Sequence, residues 1–244
     1  MKLKEILAGI PIAEGHAEDT LEITGISYDS RHVQPGDLFV AVTGYATDGH
    51  KYIPMAVEKG AAAVLCERKP ECDIPYVLVE NCRYAMALAS ANFFGHPADK
   101  MTFVGITGTN GKTSSTYLLK TVLEKTLSAK VGLIGTIQNM IGDEIIETER
   151  TTPESFELQK LFYEMKQAGC THVVMEVSSH SLVLDRVAGI HFQVGVFTNL
   201  TQDHLDFHKT MEEYRKAKAM LFRRCDIGVF NGDDAATEKI LETA

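Results

Sequence analysis

Short apolar runs alternate with stretches of helical period along the whole chain of 244 residues. In the first hundred residues, 21–28, 38–42, 61–66 and 76–79 read as strands, and 52–59 and 81–94 as helices. Pro35-Gly36 supplies a turn between two of those strands. From residue 101 the apolar runs strengthen, over 101–106, 130–135, 171–177, 193–200 and 226–231. Such near-continuous runs are the pattern of parallel strands buried on both faces. Between them the period changes to helical. One helix follows Lys112, with Leu118, Leu119, Val122 and Leu123 on one face. Others cover 153–168 and 211–224, and a last one begins at 233; 136–151 reads as a polar excursion. The predicted fold is α/β: a small N-terminal α/β domain over 1–98, then a P-loop-type central domain over 99–244. The second domain carries a mostly parallel sheet flanked by helices. Gly95, His96 and Pro97 punctuate the boundary.

Composition narrows the partners. With 24 basic against 33 acidic residues the net charge is −9, which argues against nucleic acid as a bulk partner. Anionic ligands must then be held locally, by loops and helix ends. No apolar run approaches the roughly 18 residues of a membrane span, and the charged N-terminus does not read as a signal peptide. The five cysteines form no CxxC pair, as expected of free thiols in a reducing cytoplasm.

The chemistry starts at Thr107-Gly108-Thr109-Asn110-Gly111-Lys112-Thr113-Ser114, between a strand and a helix. Gly108 and Gly111 let the backbone approach phosphate oxygens, and the helix start offers free N–H groups. Lys112 would reach the β and γ phosphates and Thr113 would sit on Mg²⁺. The strict phosphate-loop spacing needs glycine at position 106, where Ile106 stands. Glu176 lies among apolar neighbours near a strand end, where a carboxylate needs a cation or must protonate. Thr152 before Pro153 reads either as a helix cap or as part of an anion site. Asp203, His204, Asp206 and His208 crowd one loop, which points to metal or phosphate chemistry or to capping. In the N-terminal part, Asp29, Ser30, Arg31, Thr47, Asp48 and His50 leave strand ends. Turn formation is the simpler reading of Asp29, Ser30 and Asp48.

Five ordered stretches, VGITGTNGKT, ERTTPES, MEVSSHSLVLDRV, TNLTQDHLDFH and YRKAKAMLF, together resemble the Mur ligases. SYDSRHVQPGDLFVAVTGYATDGHKYI is similar to the UDP-binding part of that family's first domain. The family loop is built around Gly-Thr-Asn-Gly-Lys-Thr, which accounts for Ile106. The resemblance implies an ATP- and Mg²⁺-dependent amide ligase of peptidoglycan precursor synthesis. Such an enzyme adds a diamino acid to UDP-MurNAc-L-Ala-D-Glu through an acyl phosphate. It implies ATP on Gly108 to Ser114; Lys112, Glu176, His204 and Lys218 as catalytic residues; and Thr113, Glu176, His204 and a carboxylated Lys218 around metal. Ser30, Tyr45, Ala46 and Thr47 would hold the UDP end, and Thr151, Thr152, Ser178 and Arg186 the muramoyl-dipeptide end. Spacing does not choose Lys218 over Lys216; the resemblance does. It also implies a cytoplasmic monomer, and a third domain that these 244 residues do not carry, so the chain is expected to be an N-terminal fragment unable to turn over alone. Alternatives are another Mur-type or folylpolyglutamate-type ligase, or a non-catalytic nucleotide or UDP-sugar binding module.

Overall fold

The computed structural model describes residues 1–44 and 47–244. The chain divides into two compact units, Met1–His96 and Pro97–Ala244. Unit one runs α1 (Leu3–Ile6), β1 (Glu14–Gly15), β2 (Gly25–Ser27), β3 (Asp37–Val40), α2 (Ile53–Glu58), β4 (Ala63–Cys66), β5 (Tyr76–Leu78) and α3 (Cys82–Phe93). Its sheet has the order β1-β5-β4-β3-β2, parallel except where β1 joins β5. β3 and β4 are buried throughout, as their apolar runs require. Helix α3 starts because Asn81 caps it, its side chain accepting from Arg83 N and Tyr84 N.

Unit two runs β6 (Thr102–Thr107), α4 (Lys112–Leu127), β7 (Val131–Ile134), β8 (Asn139–Ile141), β9 (Glu144–Ile146), α5 (Ser155–Gln167) and β10 (His172–Glu176). It continues with α6 (Ser179–Val183), β11 (Phe192–Phe197), α7 (Leu205–His208), α8 (Met211–Ala219), β12 (Cys225–Phe230) and α9 (Thr237–Thr243). The sheet order is β12-β11-β6-β10-β7-β8-β9, with the first five strands parallel. Phe103, Phe162, Val173, Met175 and Phe192 anchor the larger core, and Phe103 meets Phe162 edge-on at 4.8 Å.

Three expectations need correction. The stretch read as a polar excursion contains β8 and β9, an antiparallel hairpin turned by Gly142 at φ +62. On α4, Leu118 and Val122 are 68% and 51% exposed. The face toward the sheet carries Leu119 and Leu123 instead, because the four apolar positions span more arc than the sheet covers. Helix α5 begins at Ser155 with Glu154 in the cap position, so Thr152 is not its cap.

All five cysteines are free thiols, and burial pushes Cys66 up to about 11, away from reactivity. Among the described residues no helix is long and apolar enough to cross a membrane.

Candidate active site

The loop between β6 and α4 lies at the C-terminal edge of the parallel strands, in the centre of the sheet. Gly111 opens α4 in the left-handed region, at φ +84. Gly108 has φ +146, and a Cβ there would lie 1.9 Å from Thr198 Oγ1, so no other residue fits. Lys112 Nζ donates to the carbonyls of Gly108 and Thr109, both at 2.9 Å. Lys218 Nζ, carried on α8, donates to the same Gly108 oxygen at 2.9 Å. Two ammonium groups therefore meet at one carbonyl. Burial lowers the Lys112 pKa, while Glu176 and Asp203 oppose the shift. Burial, and Lys112 next, push Lys218 down to about 7. Lys216, two residues away, instead pairs with Glu212 at 2.9 Å and Glu213 at 3.1 Å on the outer face. The helix itself thus separates the two lysines.

Tyr214 completes this corner. Its ring lies 4.3 Å from Lys218 Nζ, and its hydroxyl is 3.2 Å from Thr109 Oγ1. His204 enters α7 at φ +52, pairs with Asp203, and stacks edge-on to His180 and Tyr214. His208 Nε2 lies 2.8 Å from Ser179 Oγ, and burial pushes its imidazole down to about 4.

A second network starts at Glu176, whose side chain is enclosed at 1% exposure. Its Oε1 accepts from Thr136 N at 2.9 Å and its Oε2 from Thr136 Oγ1 at 3.1 Å. Thr136 Oγ1 also meets Thr151 Oγ1 at 3.0 Å. Thr152 Oγ1 donates to Glu176 O at 2.8 Å and accepts from Ser178 N at 3.2 Å. Arg186 donates through one guanidinium nitrogen to Thr152 O at 3.0 Å and pairs through the other with Glu154 at 2.8 Å. Glu176, Thr136, Thr151, Thr152, Ser178 and Arg186 are thereby joined into one network, and its strand end lies beside the phosphate loop's own strand, Glu176 pairing in register with Ile106. His204 belongs to the Lys218 corner, which it meets through the Tyr214 ring. Thr136, Tyr214 and Glu154 are participants that sequence reading did not place. Tyr214 lay within the YRKAKAMLF stretch, but nothing in its spacing marked it.

In unit one the loops after β2 and β3 leave the same sheet edge. Ser30 is buried, its hydroxyl 3.3 Å from Met55 Sδ, and Thr47 Oγ1 lies 3.1 Å from Tyr52 OH. Tyr45 and Ala46 lie outside the described residues. Asp29 folds onto Arg31, accepting from its backbone N at 2.9 Å and its guanidinium at 2.7 Å. Asp48 accepts from His50 N at 3.0 Å and pairs with Arg68. Both carboxylates thus act as turn-formers.

Residues 106–244 match the Mur ligase middle domain, and residues 22–98 match the Mur ligase family, catalytic domain. The chain belongs to the Mur ligase family. It is 51% identical over 249 residues to a UDP-N-acetylmuramoyl-L-alanyl-D-glutamate--2,6-diaminopimelate ligase of Clostridium tetani, covering 99% of this chain and 51% of that protein. The enzyme of the same name in Listeria monocytogenes is 44% identical, with 98% and 50% covered. A solved structure under that name superposes with a TM-score of 0.85 at 28% identity, over 100% of this chain and 49% of the other. The chain spans about half the length of the Mur ligases it matches.

Proposed function

We propose that the chain forms the UDP-substrate and ATP-binding half of an ATP-dependent ligase. That enzyme adds 2,6-diaminopimelate to UDP-MurNAc-L-Ala-D-Glu during peptidoglycan precursor synthesis. The carrying observation is that the Lys112 loop leaves β6 beside the end of β10, where Glu176 pairs in register with Ile106 and leads through Thr136 to Thr151, Thr152, Ser178 and Arg186. It links a phosphate-binding turn to hydroxyls and a guanidinium suited to an acidic substrate. The relatives carry the ligase name.

The central difficulty of such a reaction is that a carboxylate must approach a polyphosphate. Lys112 and the N–H groups of residues 111–114 would hold the phosphates and offset that repulsion. Lys218, pushed down to about 7, would in its neutral form add CO₂ at Nζ and lose a proton, leaving a carbamate anion in place of the ammonium. Among the described residues no three His, Cys, Asp or Glu side chains form a ready cage for a metal. The donors on Thr113, Glu176, His204 and a carboxylated Lys218 are oxygen and nitrogen groups that would suit Mg²⁺, which keeps waters and shares ligands with phosphate rather than needing a full protein cage. Bound there, it would neutralise phosphate charge. Ser30 and Thr47, at the strand ends of unit one, would hold the uridine end. The reaction would run in the cytoplasm, where ATP is supplied, with the chain acting as a monomer.

Calorimetry on the 244-residue chain tests the binding half: it should bind both a non-hydrolysable ATP analogue with Mg²⁺ and UDP-MurNAc-dipeptide. The protein at the full length of its relatives should turn over ATP continuously only when diaminopimelate is also present. Labelled CO₂ should give a carbamate ¹³C signal that Lys218→Gln abolishes. Continuous turnover to ADP without the amino acid, beyond the single equivalent that acyl-phosphate formation releases, would overturn the ligase assignment.

A further inference from the structure

The phosphate loop is laced to the segment that follows β11. Asn199 does most of this: its Oδ1 accepts from Asn110 N at 2.9 Å, and its Nδ2 donates to Asn110 O at 3.1 Å. One carboxamide thus pairs with both backbone groups of a single residue, as a neighbouring strand would. The Asn199 carbonyl also accepts from Thr109 N at 2.9 Å. Thr198 Oγ1 donates to Asn110 O at 2.7 Å and sits where a Cβ on Gly108 would be. Thr201 N donates to Thr109 Oγ1 at 3.0 Å, and that hydroxyl donates to Thr201 O at 3.1 Å.

We infer that Asn199, with Thr198 beneath it, is a positioning residue for nucleotide binding: it presets the Thr109-Asn110 turn and directs the phosphates to the start of α4. This rests on the reading of the Lys112 loop as a phosphate site. The N–H groups of Thr109 and Asn110 are committed to Asn199, so they are not the donors that cradle the anion. Those of residues 111–114 are left for it, beside Lys112. The Asn110 carbonyl, which would repel a phosphate, is held by two donors on the β11 side. The residue before the left-handed Gly111 is thereby fixed before any ligand arrives, and a loop fixed in advance needs no ordering on binding.

Asn199 is half-buried, so truncation leaves the core intact. Affinity of the 244-residue chain for the ATP analogue with Mg²⁺ is measured by calorimetry in the wild type, Asn199→Ala and Thr198→Val, together with unfolding midpoints and amide exchange. Asn199→Ala should bind about tenfold more weakly, as expected from losing two hydrogen bonds that order the loop. Its Thr109 and Asn110 amides should exchange faster while β6 and β11 keep their protection and the midpoint stays within a few degrees. Thr198→Val should show a smaller loss of the same kind. Wild-type affinity in Asn199→Ala overturns the inference, and so does an affinity loss that comes with exchange spread through β6 and β11. If the wild-type chain fails to bind the analogue, the phosphate-site reading falls as well, which separates the two failures.

Discussion

Thr152 bridges the end of β10 to the turn that follows it, and its removal has a magnitude that can be worked out. Its side chain is 1% exposed; the hydroxyl donates to Glu176 O at 2.8 Å and accepts from Ser178 N at 3.2 Å. Thr152→Val keeps the shape and the β-branch but removes both bonds. A lost hydrogen bond costs about 1 kcal/mol, and an enclosed N–H left without a partner about 1–3 kcal/mol. The expected destabilisation is therefore about 2–4 kcal/mol. For a unit of this size that corresponds to a drop in unfolding midpoint of about 4–16 °C. Urea denaturation followed by far-UV circular dichroism measures it, with Thr152→Ser as the control that retains the hydroxyl. The functional consequence is coupled, because the same hydroxyl sets the Ser178 turn and the backbone beside Glu176. UDP-MurNAc-dipeptide affinity should fall in Thr152→Val and recover in Thr152→Ser. If Val and Ser variants are equally stable, within about 0.5 kcal/mol of wild type, the hydroxyl does not hold this junction and the reasoning fails.

Gly108→Ala must displace Thr198 or the loop, since the new Cβ would fall 1.9 Å from Thr198 Oγ1 at φ +146; loss of measurable ATP-analogue binding is expected, and retained binding would refute it. The hydrogen bond from Arg31 holds the Asp29 carboxyl at about 2, below its ordinary 3.8. Its contribution to stability is thus fully present above pH 4 and disappears as pH falls through 2. Urea midpoints of wild type and Asp29→Asn should differ at pH 5 and converge at pH 2; a constant difference would sink the assignment. Arg186→Ala leaves Glu154 without its closest cation at a largely enclosed position and should cost about 3 kcal/mol. Arg186→Ala/Glu154→Gln should recover part of that, and no recovery would mean the pair is not coupled.

Elements whose formation depends on local pattern were legible from the chain alone. The apolar runs at 101–106, 171–177 and 193–200 became β6, β10 and β11 to within a few residues, because burial on both faces leaves an unmistakable composition. The strand-loop-helix around Lys112 was equally legible, since glycine at positive φ and a helix start are local requirements. The hairpin of β8 and β9 was not, because its strands are only three residues each, β9 is largely exposed, and the hairpin joins the sheet only through β8 pairing with β7.

The site divides along the same line. Sequence pattern and family resemblance named Lys112, Glu176, Thr152 and Lys218. Which face of α8 turns inward was beyond spacing; packing buries Lys218 beneath Tyr214 and leaves Lys216 among glutamates. The same holds for Thr136 against Glu176 and for Asn199 against Asn110, contacts between residues 40 and 89 positions apart. The amino-acid order determined which strands, turns and loop this protein forms, because those follow from backbone sterics and burial within a few residues. Only the tertiary structure decided which side chains meet, because a carboxylate or an amide acquires its partner from whichever strand end the sheet order sets beside it.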